Sequence, residues 1–132
     1  GDEPIYLISR KSVKVPEYGE KWKDRSIEDG INLLNYLKHN KIDKLLKIVS
    51  IDVSKIGSRH KDSKIGVELW TKDGAKIKWG FSASSGQVNE LSNYEKLQNL
   101  LSVAMEAGAD LENVEYVDVR WKAPLAKRIS IR

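Results

Sequence analysis

The segment Glu115–Trp121, EYVDVRW, places an acid and a base two residues apart in an alternating pattern typical of a strand. Successive side chains of a strand point to opposite faces, so Asp118 and Arg120 share one face with Tyr116 and the two intervening valines share the other. An acid and a base so placed could do chemistry, form an ion pair, or belong to a surface that meets a partner. If the valines face the core, we expect the charged pair on the solvated side of a sheet, where it is a structural pair first.

The other residues that could act in catalysis or metal binding are isolated. The sequence has no cysteine, and His39 and His60 lack the spacing of a metal site. The stretch Ser82–Gly86, SASSG, lacks the lysine and the spacing of a phosphate-binding loop, so we interpret it as a turn. No spacing of carboxylates favours acid–base catalysis, and Asp52 is a lone strand carboxylate. We therefore predict a protein that is not an enzyme, with no catalytic residue, no metal site and no cofactor.

Length and charge limit the classes of protein further. The 132 residues are enough for one domain with a core, which we assign to 1–132, and too few for two ordinary domains. The 23 basic residues are balanced by 19 acidic ones, leaving a net charge of +4. Because a dedicated nucleic-acid binder usually has a larger and more localised excess, we predict no specific nucleic-acid partner. No apolar run approaches the roughly 18 residues that a membrane span needs.

Hydrophobic periodicity in the first half predicts strands around one helix. A short strand is expected at Ile5–Ile8, and helical spacing over Ile27–Leu37 follows, with Ser26 and Asp29 as a capping pair and Asn40 as the stop. Strict alternation then predicts a half-buried strand over Val49–Val53.

A hairpin and a second helix are predicted in the second half. The strands IGVELW and AKIKWGF flank Lys72–Gly74, whose glycine favours a tight turn. Helical spacing resumes through Tyr94, Leu97, Leu101 and Ala104, with Ser92 and Glu95 as a capping box and Gly108 as the C-terminal cap. Strands at Val114–Trp121 and about Lys127–Ile131, separated by the turn KAPLA, complete the chain.

This order of elements predicts an α+β fold. We expect a largely antiparallel sheet with two amphipathic helices packed on one face and the other face open. Trp70, Trp121 and Lys78 could together form an aromatic and basic surface of the kind that stacks nucleic-acid bases, but tryptophans packed against loops or sheet edges explain the same pattern. A basic α+β binding module for nucleic acid or an anionic envelope polymer is therefore the alternative function.

Several of these motifs in combination resemble the β domain of the bacterial cell-division protein family FtsQ, called DivIB in Gram-positive bacteria. The similar elements are the first helix, the strand KIVSIDVS, the hairpin LWTKDGAKIKWG, the Leu-rich helix and the strand YVDVRW. The resemblance covers about Ile5 to Ile131, and PIYLIS resembles the end of a preceding POTRA domain, so residues 1–10 could be its tail. The resemblance implies the FtsQ β-domain fold.

The resemblance also implies a function without catalysis. Members of the family are scaffolds of the divisome, anchored in the inner membrane by a segment that this sequence does not include, with this domain on the extracytoplasmic, periplasmic side at the division site. Their partners are small coiled-coil division proteins of the FtsB and FtsL type. In the family, a partner adds a strand to the free edge of the last strand, where unpaired backbone groups are available.

The expected partner-binding residues lie in two groups, of which the resemblance implies only the first. The first is the predicted last strand, whose basic residues would discourage self-pairing while leaving the edge open to an acidic partner. The second is the open sheet face. The expected residues are Lys127, Arg128, Ile129, Ser130 and Ile131 in the strand, and Tyr116, Asp118 and Arg120 on the face.

Overall fold

The computed structural model describes residues 4–9, 25–56, 66–81, 90–106 and 111–129. Within these ranges the chain forms one six-stranded sheet and three helices. In chain order they are β1 (Tyr6–Ile8), α1 (Arg25–His39), α2 (Ile42–Leu45), β2 (Ile48–Asp52), β3 (Val67–Thr71), β4 (Lys76–Gly80), α3 (Asn93–Glu106), β5 (Val114–Asp118) and β6 (Leu125–Arg128). The α+β prediction is confirmed, and α2 is one short helix more than the periodicity indicated.

The strands lie in the sheet in their order along the chain, from β1 at one edge to β6 at the other. The pairs β1–β2 and β4–β5 are parallel, whereas β2–β3, β3–β4 and β5–β6 are antiparallel. The expectation of a largely antiparallel sheet is therefore wrong, because the sheet is mixed. Each parallel pair is joined by a helical crossover, α1 with α2 in the first and α3 in the second, and a parallel connection needs such a crossover.

Both crossovers step in the same direction across the sheet between strands that run the same way. The right-handed rule for such connections then places α1 and α3 on the same face, as predicted. On that face one apolar row crosses the sheet, and each residue in it is the register partner of the next: Leu7, Ile51, Leu69, Ile77, Val117 and Ala126. The four central members are at most 1 % exposed, so the core lies between this row and the helices.

The hairpin between β3 and β4 forms where its glycine indicated. Gly74 has a φ of +91°, which L side chains rarely adopt, and its N–H donates to the carbonyl of Thr71 at 3.0 Å. The Thr71 hydroxyl also accepts the N–H of Ala75 at 3.1 Å. These bonds close the turn and fix the register in which Trp70 lies opposite Lys76.

The start of α3 confirms the predicted capping box. The Ser92 hydroxyl accepts the N–H of Glu95 at 3.2 Å, and the Glu95 carboxylate accepts the N–H of Ser92 at 3.3 Å. Each side chain thus satisfies a backbone donor that the first helical turn leaves without a partner. The predicted cap at Gly108 lies outside the described residues.

The first helix differs slightly from its predicted start. It begins at Arg25, so Ser26 lies within the helix rather than before it. At the other end, the Asn40 side chain donates to the carbonyl of Tyr36 at 2.8 Å, next to the last helical residue, His39, in agreement with the predicted stop. Lys41 then adopts a φ of 60° and starts the short helix α2.

The orientation of α3 differs from the predicted stripe. Tyr94 is 65 % exposed and Leu101 is only partly buried, whereas Leu100 and Val103 face the core. The buried position one turn before Leu100 is occupied by Lys96, which is fully buried. The other two members of the predicted stripe are buried as expected, so the inner face of α3 is shifted only in part, toward the side of Lys96.

Candidate interaction surface

Within the described ranges, strand β6 is an edge strand, and it is exposed along its length. It pairs with β5 on one side, and all four of its residues, Leu125–Arg128, are exposed. It begins two residues earlier than predicted, because Leu125 pairs with Asp118 and the turn is correspondingly shorter. Lys127, Arg128 and Ile129 are described and exposed, whereas Ser130 and Ile131 lie outside the described residues.

The backbone of β6 has donors and acceptors directed away from the sheet. The N–H of Ile129 donates to the carbonyl of Asn113 at 2.9 Å, toward β5. In an antiparallel pair the backbone groups of successive residues point alternately toward the neighbouring strand and away from it. The irregularity in this pair lies in β5, between Val114 and Tyr116, so the alternation continues along β6. Ala126 and Arg128 therefore direct their N–H and C=O groups to the free edge.

The side chains of β6 have a simple pattern. Leu125 and Lys127 are register partners of Asp118 and Tyr116, so they lie on the face opposite the helices, as does Ile129 two residues further on. Leu125 is 59 % and Ile129 is 48 % exposed. Lys127 pairs with Glu115 at 3.2 Å, but both side chains are more than half exposed. Such an exposed ion pair contributes little to stability and is easily exchanged for another partner.

Asp118 and Arg120 do form the predicted ion pair. The Arg120 Nε and Nη2 groups donate to the two carboxylate oxygens of Asp118 at 2.9 and 2.7 Å. The N–H of Arg120 donates to the same carboxylate at 3.2 Å, and the Trp121 indole donates at 3.3 Å. Asp118 thus holds the chain where it leaves β5, so the strand ends at Asp118 rather than at Trp121.

The environment of this pair differs from the expected solvated face. The side chains of Asp118 and Arg120 are only 10 % and 15 % exposed. Burial raises the pKa of Asp118, but the hydrogen bonds and charge of Arg120 outweigh it, so that the pKa lies below its ordinary value. The hydrogen bond from Arg120 to Asp118 raises the pKa of the guanidinium. A pair so fully engaged fixes the hairpin and is poorly placed to contact a partner directly.

Sequence periodicity does not predict a second ionic contact, which joins Lys96 to Glu90. Lys96 is fully buried and donates to the Glu90 carboxylate at 2.7 Å and to the carbonyl of Phe81 at 2.6 Å. Glu90 also accepts the N–H of Phe81 at 2.9 Å. Burial lowers the pKa of Lys96, and the hydrogen bond and charge of Glu90 oppose that shift. The sequence feature that could have indicated this contact is a lysine four residues before Leu100, on the apolar side of the helix.

The alternative surface of Trp70, Trp121 and Lys78 is not assembled as one cluster. Lys76, not Lys78, lies over the Trp70 ring, with Nζ 5.0 Å from its centroid. Lys78 lies over Tyr116 at 4.5 Å. Trp121, 40 % exposed, instead stacks with the Arg120 guanidinium at 4.9 Å. The structure brings Tyr116 and Lys127 side by side on the face opposite the helices.

In the described ranges no group of three or more His, Cys, Asp or Glu is arranged to hold a metal ion. His39 is exposed at the end of α1, and His60 lies outside the described residues. None of the helices in the described part of the chain combines the length and apolarity needed to cross a bilayer.

No protein-family model matches the chain, and no curated protein matches it significantly.

Proposed function

We propose that this chain is a non-enzymatic scaffold domain of the FtsQ type, which binds other cell-division proteins through the edge of β6. The observation that carries the proposal is the free edge, where the backbone groups of Ala126 and Arg128 point away from the sheet. A partner that adds a strand there completes these hydrogen bonds and extends the six-stranded sheet.

The side chains of β6 support a partner of particular character. On the face opposite the helices the strand carries apolar, basic and apolar residues in turn: Leu125, Lys127 and Ile129. An added strand that matches this pattern has an acidic residue between two apolar ones at alternate positions. Basic residues at the edge also disfavour pairing of two copies through β6, because like charges would meet.

The other free edge is less suited to this role. Strand β1 has three residues, which offer few outward backbone groups, and it pairs with β2 in parallel. In the FtsQ family, which this chain resembles, the partner is expected at the last strand, and this expectation agrees with the choice of β6. On that resemblance the partners are FtsB- and FtsL-type proteins on the extracytoplasmic side of the inner membrane, and the domain is anchored there by a segment outside this sequence.

Replacing Ala126 by proline tests this proposal at the backbone. Proline removes an outward N–H and places its ring where the added strand must lie. The Kd for the extracytoplasmic segments of the FtsB- and FtsL-type proteins of the same genome should rise at least about tenfold, the effect of roughly 1.4 kcal/mol. Isothermal titration calorimetry with the whole chain measures it.

Two controls accompany this variant. Ala126→Ser keeps the N–H and should bind like the wild type, and Leu7→Pro places a proline at the opposite edge. Circular dichroism melting shows that each variant is folded. If folded Ala126→Pro binds as tightly as Ala126→Ser, strand addition at β6 is wrong.

A further inference from the structure

One row of side chains on the face opposite the helices combines aromatic and basic residues. Register pairs place its members next to one another across the whole sheet: Tyr6, Ser50, Trp70, Lys76, Tyr116 and Lys127. Since neighbouring strands lie about 4.8 Å apart, the row spans about 24 Å. It contains no carboxylate. A ligand that contacts the whole row must be extended. The lysines of the row attract negatively charged groups on such a ligand.

The carboxylates of the adjacent row are already engaged. Glu68 accepts from Lys55 at 2.5 Å and lies 3.8 Å from Lys76, and Asp118 is held by Arg120. Asp52 accepts the hydroxyl of Ser54. In that adjacent row Lys78 lies beside Lys76 on the same strand and face, about 7 Å away. Its register partners Glu68 and Asp118 are engaged by Lys55 and Arg120, and among the described residues no carboxylate forms an ion pair with Lys78, whose ammonium lies over the Tyr116 ring.

On two of these aromatic rings a lysine ammonium lies over one face. The Lys76 ammonium lies over Trp70 and the Lys78 ammonium lies over Tyr116, each within 5.0 Å of the ring centroid. Binding of single-stranded nucleic acid depends on bases stacking on open aromatic faces. Here the rings instead support cations through cation–π contacts, which hold the lysines in place before a ligand arrives. The surface is therefore built to recognise anionic groups rather than flat bases.

We propose that this row, together with the neighbouring Lys78, binds an extended anionic sugar polymer, with Lys76 and Lys78 contacting its carboxylate groups. The exposed ring of Tyr6, at 66 %, lies at one end of the row and can pack against a sugar unit. This second surface does not depend on strand addition at β6. It gives the domain a way to bind a polymer on its open face while its edge holds a protein.

Lys78→Gln tests the polymer site, because among the described residues Lys78 forms no ion pair that the substitution would break. The probe is a fluorescein-labelled decamer of galacturonic acid, measured by fluorescence anisotropy at low salt with the whole chain. The affinity should fall about tenfold, the usual effect of one lost charge-assisted contact. Lys78→Arg keeps the charge and should retain most of the affinity.

Lys38→Gln is the matched control, since it removes the same charge from an exposed site on α1 on the other side of the sheet. Its affinity should equal that of the wild type. The proposal is overturned if Lys38→Gln and Lys78→Gln lose affinity equally, if the wild type does not bind the decamer, or if it binds a thymidylate decamer more tightly. The last result would identify the face as a nucleic-acid surface. Ala126→Pro should leave polymer binding unchanged, so the two proposals fail separately.

Discussion

The buried pair of Lys96 and Glu90 is the contact whose loss should cost the protein most. Lys96→Met keeps most of the side-chain volume but leaves the Glu90 carboxylate buried without its cation. We expect the free energy of unfolding to fall by about 3–5 kcal/mol, the usual cost of removing one partner from a buried ion pair. Urea unfolding followed by tryptophan fluorescence measures this change.

The double variant Lys96→Met, Glu90→Gln provides the decisive comparison. It replaces the buried carboxylate by a neutral amide that can still accept the N–H of Phe81. It should recover much of the lost stability, whereas Lys122→Met at an exposed turn position should change it by less than about 0.5 kcal/mol. If the double variant is as unstable as the single one, the loss of stability comes from the packing of the lysine side chain and not from its charge pairing with Glu90.

The pair of Asp118 and Arg120 should make stability depend on pH in the acid range. The folded pKa of Asp118 lies below its unfolded value, so the unfolded state takes up the proton first as the pH falls. The stabilisation from this pair is fully present above the pKa of Asp118 in the unfolded state, about 4. It is lost as the pH falls through the pKa of Asp118 in the folded state. Asp118→Asn should therefore be less stable than the wild type at pH 7, and the difference should shrink below about pH 4.

Chemical denaturation at several pH values between 7 and 2 measures that difference. A gap between wild type and Asp118→Asn that stays constant over this range would contradict the assignment of the pH dependence to this carboxylate.

At the scale of elements, the end of β4 depends on a glycine with no room for a side chain. Gly80 has a φ of +88°, and a Cβ there would lie 2.2 Å from the Glu90 carboxylate oxygen and 2.8 Å from Arg120 Cδ. Gly80→Ala should therefore disturb both buried ion pairs in addition to straining the backbone. We expect a loss of stability of more than about 3 kcal/mol, which combines backbone strain with displaced buried charges.

Gly74 provides the matched control for this substitution. It has a similar φ of +91°, but a Cβ there would meet nothing within 4 Å. Gly74→Ala should cost only the backbone strain, about 1–2 kcal/mol. Thermal and urea unfolding of both variants give the comparison. Equal losses would show that the backbone conformation alone explains the requirement for glycine at position 80.

At the scale of the whole molecule, protection should decrease from the centre of the sheet to its edges. The central strands β3 and β4 are paired on both sides and carry fully buried side chains, whereas β1 and β6 are exposed edges. Amide hydrogen exchange should be slowest in β3 and β4, approaching global unfolding, and fastest at the edges. On binding a partner strand, the amides of Ala126 and Arg128 should slow most. Unchanged exchange at these two amides in a saturated complex would place the interface elsewhere.

Local sequence determined the elements that depend on near neighbours. Alternation placed Leu69 and Ile77 on the buried face, Gly74 marked the hairpin, and Ser92 with Glu95 marked the start of α3. These features follow from strand and helix periods and from short-range hydrogen bonds, so a few adjacent residues contain the information. The ion pair of Asp118 and Arg120 was predictable for the same reason.

Tertiary structure alone decided which strands are neighbours and which charges are buried. The parallel pairing of β4 with β5 brings together residues about 40 positions apart, and no local period encodes it. The same pairing and the crossover through α3 bury Lys96 against Glu90 and cover much of Asp118. The exposure of β6 is likewise a property of the strand order, because a strand is an edge only when nothing in the assembled sheet pairs with its far side.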